Sequence, residues 1–182
     1  MTKQTIGAGT FGERDPKINS NFTELYSQAP PDADRAFSHT YIAMGDEVAT
    51  PTLVANTPTK YQLPITAKGL SNFEIAEIST GVYALKYIGT RDITCVLNAT
   101  TSILAGANNT TVKLMMYKNG VYEVGSIVAR KIGTGADLGA MGLSTSIQMV
   151  TNDYFDVYVE SDVSTTITFL YTNIVISEVH QD

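Results

Sequence analysis

The side chains that could do chemistry in this sequence are few and far apart. Asp156 and Glu160, with Asp153 close by, have the even spacing that places two carboxylates on one face of a strand. A carboxylate pair is what hydrolysis of a glycosidic bond requires. Four residues along a strand nevertheless separate the two by about 13 Å, which is too far unless another strand contributes an acid. The spacing therefore favours a solvated acidic face, and no catalytic residue is predicted.

Nucleophiles and metal ligands are equally sparse. Cys95 is the single cysteine and lies in an alternating apolar segment, which is typical of a small buried side chain. Asp137 lies in a glycine-rich segment without the neighbouring carboxylates of a calcium site. His39 and His180 are predicted to lie in a linker and at the frayed C-terminal end. We therefore expect no metal, no cofactor and no enzymatic activity.

A glycine-spaced segment near the N-terminus, Gly7–Gly12, contains the pattern G-x-G-x-x-G. In dinucleotide-binding proteins this pattern follows a strand and opens the helix of a βαβ unit. Here it follows no predicted strand and opens no such unit. A dinucleotide site is therefore not predicted.

Charge and hydropathy exclude two classes of partner. Lys and Arg total 12 against 18 Asp and Glu, which gives a net charge of −6 and a pI near 4.8. Domains that bind nucleic acid usually carry the opposite excess. No segment approaches the run of about 18 apolar residues that a membrane span needs, and the N-terminus lacks the apolar core of a signal peptide. We expect neither nucleic acid nor a membrane as a partner.

The elements that position these residues are predicted to be strands. The chain has 24 Thr, 15 Ile and 14 Val, and β-branched residues favour strands. The pair Asn119-Gly120 between two apolar runs is a strong hairpin signal, and residues 133–142 form a small-residue loop. About eight to ten strands are predicted. They include residues 47–55, 60–66, 82–88, 92–104, 112–117, 121–132, 144–150, 154–160 and 165–179. This pattern predicts an all-β, antiparallel jelly-roll sandwich.

The first 40 residues differ from the rest. Asp15 can cap a helix that has Pro16 at its first position, and the helix should end before Pro30 and Pro31. The apolar face of this helix would comprise Ile18, Phe22, Leu25 and Tyr26. A helix of about 11 residues is marginal alone, so it needs a surface, either on its own domain or on another protein. We predict an anchor segment and linker over residues 1–40, with 30–40 as the linker, and a jelly-roll domain over 41–182.

The strand pattern, above all in the last third of the chain, resembles that of jelly rolls of the tumour necrosis factor and complement globular-head type, in the versions found in structural proteins of tailed bacteriophages. The resemblance rests on residues 152–159 and 166–176, on Thr50-Pro51-Thr52, and on the run that ends at 117–120. It covers residues 47–179. It implies a homotrimer in which the inner sheets face a threefold axis.

The N-terminal segment is similar to a short motif of phage virion proteins. The motif covers Lys17–Tyr26 and follows a glycine-rich stretch, here Gly7–Gly12. The similarity implies a virion anchor formed by Ile18, Asn21, Phe22, Leu25 and Tyr26. The two resemblances together imply a structural protein on the virion surface, assembled in the host cytoplasm: a trimeric capsid decoration or head fibre, with capsid or tail proteins as partners. The alternative is a tail-fibre or receptor-binding protein that contacts a host-surface glycan.

Tyrosines are the candidates for the trimer interface. Tyr154 and Tyr158 alternate with the predicted core residues Phe155 and Val157, so they point away from the core. Tyrosine buries a large area at low rotamer cost and is enriched in interfaces, although single tyrosines on a solvent face are common. Tyr171 is the third candidate, and it could equally belong to the core. Phe169, by contrast, is predicted to be a core residue.

Overall fold

The computed structural model describes residues 35–43, 46–61, 66–80, 82–134 and 137–179. Within these ranges the chain forms twelve β-strands and no helix. The strands are β1 (Phe37–Ile42), β2 (Val48–Ala49), β3 (Thr59–Lys60), β4 (Ala67–Ser71), β5 (Phe73–Ser79), β6 (Val82–Tyr87), β7 (Ile93–Ala105), β8 (Thr110–Lys118), β9 (Val121–Ile132), β10 (Gly139–Met149), β11 (Tyr154–Ser161) and β12 (Ile167–Glu178). The five predicted anchor residues and His180 lie outside the described residues.

The strands form two antiparallel sheets that pack as a sandwich. Sheet A has the order β10-β7-β12-β1-β4, with β2 beside β12. Sheet B has the order β5-β6-β11-β8-β9, with β3 beside β11. Most neighbours within a sheet are distant in sequence, as in a jelly roll: β12 lies between β1 and β7, and β11 lies between β6 and β8. The all-β, jelly-roll prediction is confirmed.

The core lies between the two sheets and follows the predicted alternation. In β7 the side chains of Ile93, Cys95 and Leu97 are buried, whereas Asn98 is exposed. Phe169 is 1% exposed, as expected of a core residue. Its ring stacks on the ring of Tyr61 with 3.8 Å between centroids. Large buried side chains from both sheets therefore fill the interior.

The domain begins earlier in the sequence than predicted. Strand β1 starts at Phe37 and pairs with β12 on one side and β4 on the other, and the compact unit starts at Arg35. The side chains of β1 that face the core include the hydroxyls of Ser38 and Thr40, both buried. Hydropathy alternation does not reveal a strand whose inward residues are polar. The described part of the predicted linker, residues 35–40, therefore belongs to the domain.

Two further segments differ from the predicted strand pattern. Residues 139–142, predicted as part of a loop, form the start of β10 and pair with residues 100–103 of β7. This segment consists of Gly, Ala and Met, so it lacks the alternation of polar and apolar residues by which a strand is recognised. The predicted strand over 47–55 contains only the two-residue β2. Strands β4 and β5, which meet at Asn72, were not predicted.

The Asn-Gly hairpin is confirmed and also connects two strand pairs. Asn119 and Gly120 have φ values of 52° and 78°, as a tight turn between β8 and β9 requires. The side-chain amide of Asn119 donates to Asp153 at 2.6 Å and accepts from the backbone N–H of Tyr154 at 2.9 Å. The turn is therefore bonded to the start of β11.

Candidate functional site

The outer face of four strands of sheet A, β1, β7, β10 and β12, carries almost no charge, whereas the edge strand β4 adds the exposed Lys68. Strands β1, β7 and β10 contain no Asp, Glu, Lys or Arg, and β12 contains only Glu178, at its end. The partly or fully exposed side chains of these strands, here called the uncharged face, are small, hydroxylated, amide or aromatic. They include His39, Tyr41, Val96, Asn98, Thr100, Ser102, Ala140, Gly142, Ser144, Ser146, Gln148, Tyr171, Asn173 and Val175. The outward positions of a strand that faces solvent usually include charged residues. A face without them is typical of a surface that a partner covers.

An open cavity of about 750 Å³ lies on the uncharged face. Its lining includes His39, Tyr41, Ala140, Tyr171 and, from β4, Lys68, which is the only charged side chain among the described residues that line it. The imidazole Nε2 of His39 is hydrogen-bonded to the side-chain oxygen of Asn173, which joins β1 to β12. The uncharged face is thus concave at its centre, where a partner could insert a side chain.

Tyr171 lies on the uncharged face and is 43% exposed. In a regular strand it would share a face with Phe169, two residues earlier. The register of β12 against β7 shifts between these two residues, so Phe169 points into the core and Tyr171 points outward. The backbone oxygen of Tyr171 accepts a hydrogen bond from Thr101 at 2.9 Å. The irregularity settles the alternative that the sequence left open.

Tyr154 and Tyr158 lie on the opposite side of the molecule, on sheet B. Both are half-buried side chains of β11 that point away from the core. The structure therefore brings Tyr154 and Tyr158 together on one sheet and places Tyr171 on the other. One flat interface cannot contain all three.

Tyr158 belongs to an aromatic cluster that the sequence did not reveal. Its ring stacks on Tyr117 of β8, with 3.8 Å between centroids and 25° between planes. Tyr117 in turn contacts Tyr122 of β9 at 5.8 Å. We call the three rings, Tyr117, Tyr122 and Tyr158, the tyrosine face. They come from three adjacent strands, so only knowledge of the pairing could have brought them together.

A β-bulge between β8 and β9 determines where Tyr122 lies. Tyr117 pairs with Tyr122 and Met115 pairs with Ile127, so one residue of β8 faces four residues of β9. Gly125, within the bulge, has a φ of 86°. The hydroxyl of Ser126 accepts from the backbone N–H of Met116 at 3.2 Å and donates to the backbone oxygen of Glu123 at 2.6 Å. This hydroxyl takes the place of regular backbone bonds and holds the bulge.

The carboxylates on this side of sheet B are buried, so the predicted solvated acidic face is wrong. Asp156 is 1% exposed and forms an ion pair with Lys60 at 2.6 Å. Glu160 is 9% exposed and accepts a hydrogen bond from Lys113 at 2.6 Å. Both lysines come from neighbouring strands, β3 and β8, which a reading of β11 alone cannot detect. Burial raises the pKa of Asp156, and Lys60 opposes that rise.

The two other acids considered in the sequence, Asp153 and Asp137, are also engaged in structural contacts. Asp153 accepts hydrogen bonds from Asn119 and from the backbone N–H of Val150. Burial acts to raise the pKa of Asp153, but these hydrogen bonds and the charge of Lys118 hold it below the ordinary value. Asp137 accepts from the backbone N–H of Gly133 at 2.9 Å. The described part of the chain contains no group of three His, Cys, Asp or Glu that could hold a metal ion.

Cys95 is fully buried in β7, and burial together with the nearby Glu178 raises its pKa to about 12. The thiolate is the reactive form, so the native protein should react with a thiol reagent far more slowly than the unfolded protein. We expect less than a tenth of Cys95 to be labelled by iodoacetamide, measured by mass, in the time that labels the urea-unfolded chain completely. Comparable labelling of the two states would contradict the assignment of Cys95 as an inert core residue.

No helix among the described residues has the length and hydropathy that a membrane span requires.

Comparison with known proteins identifies the fold of the chain. No protein family model matches the chain, and no curated protein matches it. Among solved structures, the chain is similar to the Eiger TNF from S. frugiperda, with a TM-score of 0.52 and 9% identity over 82% of this chain and 95% of that chain. At this identity the similarity shows a jelly roll of the tumour necrosis factor type.

Proposed function

We propose that this tumour necrosis factor-like jelly roll is a homotrimeric structural protein of a tailed-bacteriophage particle. In this proposal it is a capsid decoration or head fibre on the virion surface, held by the anchor segment, residues 1–40. The anchor part of the proposal is supported by the motif at Lys17–Tyr26. The trimer is supported by the fold, because folds of this type commonly form homotrimers.

The observation that carries the proposal furthest is the uncharged face of sheet A. Depletion of charge, with aromatic residues retained, is the compositional signal of an interface core. Tyr171 is a large side chain near the centre of this face and lines its cavity. A second copy of the chain packed on this face would remove Tyr171 and the cavity from contact with water. Tyr171 is thus the tyrosine that we keep in the trimer interface, because Tyr154 and Tyr158 lie on the other sheet.

A trimer also explains how a short anchor could suffice. Each copy would bring one anchor segment, and three linked anchors bind more tightly than one whenever the geometry lets them engage together. Such a protein needs affinity and needs no catalysis, which agrees with acids that are bound to lysines or to the backbone.

Alanine at Phe22 or Leu25 tests the anchor. We expect either variant to remain a trimer of three 19.6 kDa chains, measured by light scattering, and to lose attachment to particles, measured by co-sedimentation. The reason is that the apolar face of the predicted helix would lose its largest contacts. Thr23→Ala, on the polar side of the same helix, is the matched control and should attach normally. Normal decoration by Phe22→Ala and Leu25→Ala would refute the anchor assignment.

Immunogold electron microscopy of intact particles, with antibody against residues 41–182, distinguishes a position on the capsid from a position on the tail. Label spread over the capsid supports the decoration or head-fibre role. Label confined to the tail end refutes that role and supports the alternative, a tail-fibre or receptor-binding protein.

A further inference from the structure

We infer that the tyrosine face of sheet B binds a neutral oligosaccharide. This inference goes beyond the structural role proposed above. It concerns the side of the domain opposite the uncharged face, and it requires neither the anchor nor a particular place on the particle.

Three tyrosine rings supply the kind of contact that a sugar needs. Tyr117, Tyr122 and Tyr158 form a continuous half-buried aromatic surface across β8, β9 and β11. Their hydroxyls find no hydrogen-bond partner within the described residues. A phenol ring offers an apolar surface for the C–H face of a sugar, and a free hydroxyl can both donate to and accept from sugar hydroxyls.

The lysines beside the rings are paired with carboxylates. Lys60 is the register partner of Tyr158 in β3, and its amine is paired with Asp156. Lys113 of β8 and Glu160 of β11 are register partners and pair with each other two residues further along β11 than Tyr158. Each of these two lysines is thus matched by a carboxylate, so neither leaves an unpaired cation beside the rings. A neutral polyol fits this arrangement, whereas a nucleic acid or an acidic polysaccharide would need unpaired cations.

The rings are held in place by their neighbours. Tyr117 is fixed between its two ring neighbours, and the bulge that positions Tyr122 is held by the hydroxyl of Ser126. A site that is already ordered loses little conformational entropy when a ligand binds. Like any phenol, Tyr158 keeps its proton at neutral pH and can act as a donor, and burial together with Asp156 raises its pKa further.

The test is binding of the full-length protein to an array of immobilised oligosaccharides, half of them neutral hexose and N-acetylhexosamine chains and half of them acidic. The best neutral chain is then titrated in solution by calorimetry. We expect Tyr122→Ala to weaken binding at least about tenfold, because it removes a stacking surface. Tyr117→Ala should have a similar effect, because it removes the ring that supports Tyr122 and Tyr158 on either side. Tyr122→Phe keeps the ring and should lose less. Tyr83→Ala is the control, since Tyr83 is half-buried on β6 of the same sheet and makes no ring contact with the three.

Three results would overturn the inference: no binding to any neutral chain at millimolar concentration, binding to acidic chains alone, or equal binding by the tyrosine variants and the control. If Tyr117→Ala does not fold, Tyr122→Ala and Tyr158→Phe decide the matter. Phe22→Ala should bind the oligosaccharide like the unaltered chain. Failure of the glycan site is thereby distinguished from failure of the anchor.

Discussion

Replacement of Phe169 by alanine should lower the free energy of unfolding by about 3–5 kcal/mol. Phe169 lies in β12 of sheet A, and its ring stacks on Tyr61 at 3.8 Å in the centre of the sandwich. The substitution removes a whole ring from a site enclosed by β-strands, which cannot collapse around the cavity as a loop could. The loss combines the lost transfer free energy with the cost of the cavity.

Urea unfolding followed by circular dichroism measures this change, at one protein concentration because association also stabilises the fold. Leu170→Ala is the matched control, since Leu170 is the next residue and is only half-buried. We expect the control to lose less than half as much. A loss below about 1 kcal/mol for Phe169→Ala would show that the ring does not fill the core as described.

Replacement of Lys60 by methionine should lower the free energy of unfolding by about 3 kcal/mol at pH 7. The methionine keeps most of the volume of the side chain but leaves Asp156 buried without its counter-charge. Removal of one member of a buried pair costs much more than removal of a surface ion pair. Lys113→Met is the matched control, because both Lys113 and Glu160 are more exposed than Lys60 and Asp156, and a smaller loss is expected.

The deficit of Lys60→Met should depend on pH in a defined direction. Burial already raises the pKa of Asp156 above 3.8, and removal of Lys60 leaves burial unopposed. A carboxyl with a raised pKa in the folded state binds its proton more tightly there than in the unfolded chain. Its contribution to stability is therefore fully present below the unfolded pKa and is lost as the pH rises through the folded pKa. The deficit should shrink between pH 7 and pH 4, and a constant deficit would contradict the assignment.

The sequence predicted those parts of the fold for which the residues of one strand or one turn are sufficient evidence by themselves. Strand β7 has apolar residues at every second position, and the turn at Asn119 has residues that tolerate positive φ, so both were predictable. Strand β1 was missed because Ser38 and Thr40 point inward. The outward orientation of Tyr171 depends on an irregularity between β12 and β7, which only the pairing reveals.

The tyrosine face was less predictable than the fold, for a related reason. Tyr117 and Tyr158 lie 41 positions apart, and their stacking depends on the antiparallel register of β8 against β11. The same register brings Lys113 opposite Glu160. Residue types along one strand give the orientation of side chains, but they do not give the partner strand. The sequence therefore predicted a solvated acidic face on β11, whereas the strand pairing buries these acids in ion pairs beside an aromatic cluster.

The bulge in β9 affects how copies of this protein behave when they are crowded together. Strand β9 is an edge of sheet B, and it exposes apolar residues, with Val124 at 85%. A straight edge of twelve residues would template a strand from a neighbouring molecule and start a fibre. The four residues that bulge opposite Met116 interrupt the row of free backbone groups, and Arg130 and Lys131 add repulsion beyond it. Copies packed side by side at high local concentration should therefore stay separate rather than aggregate edge to edge.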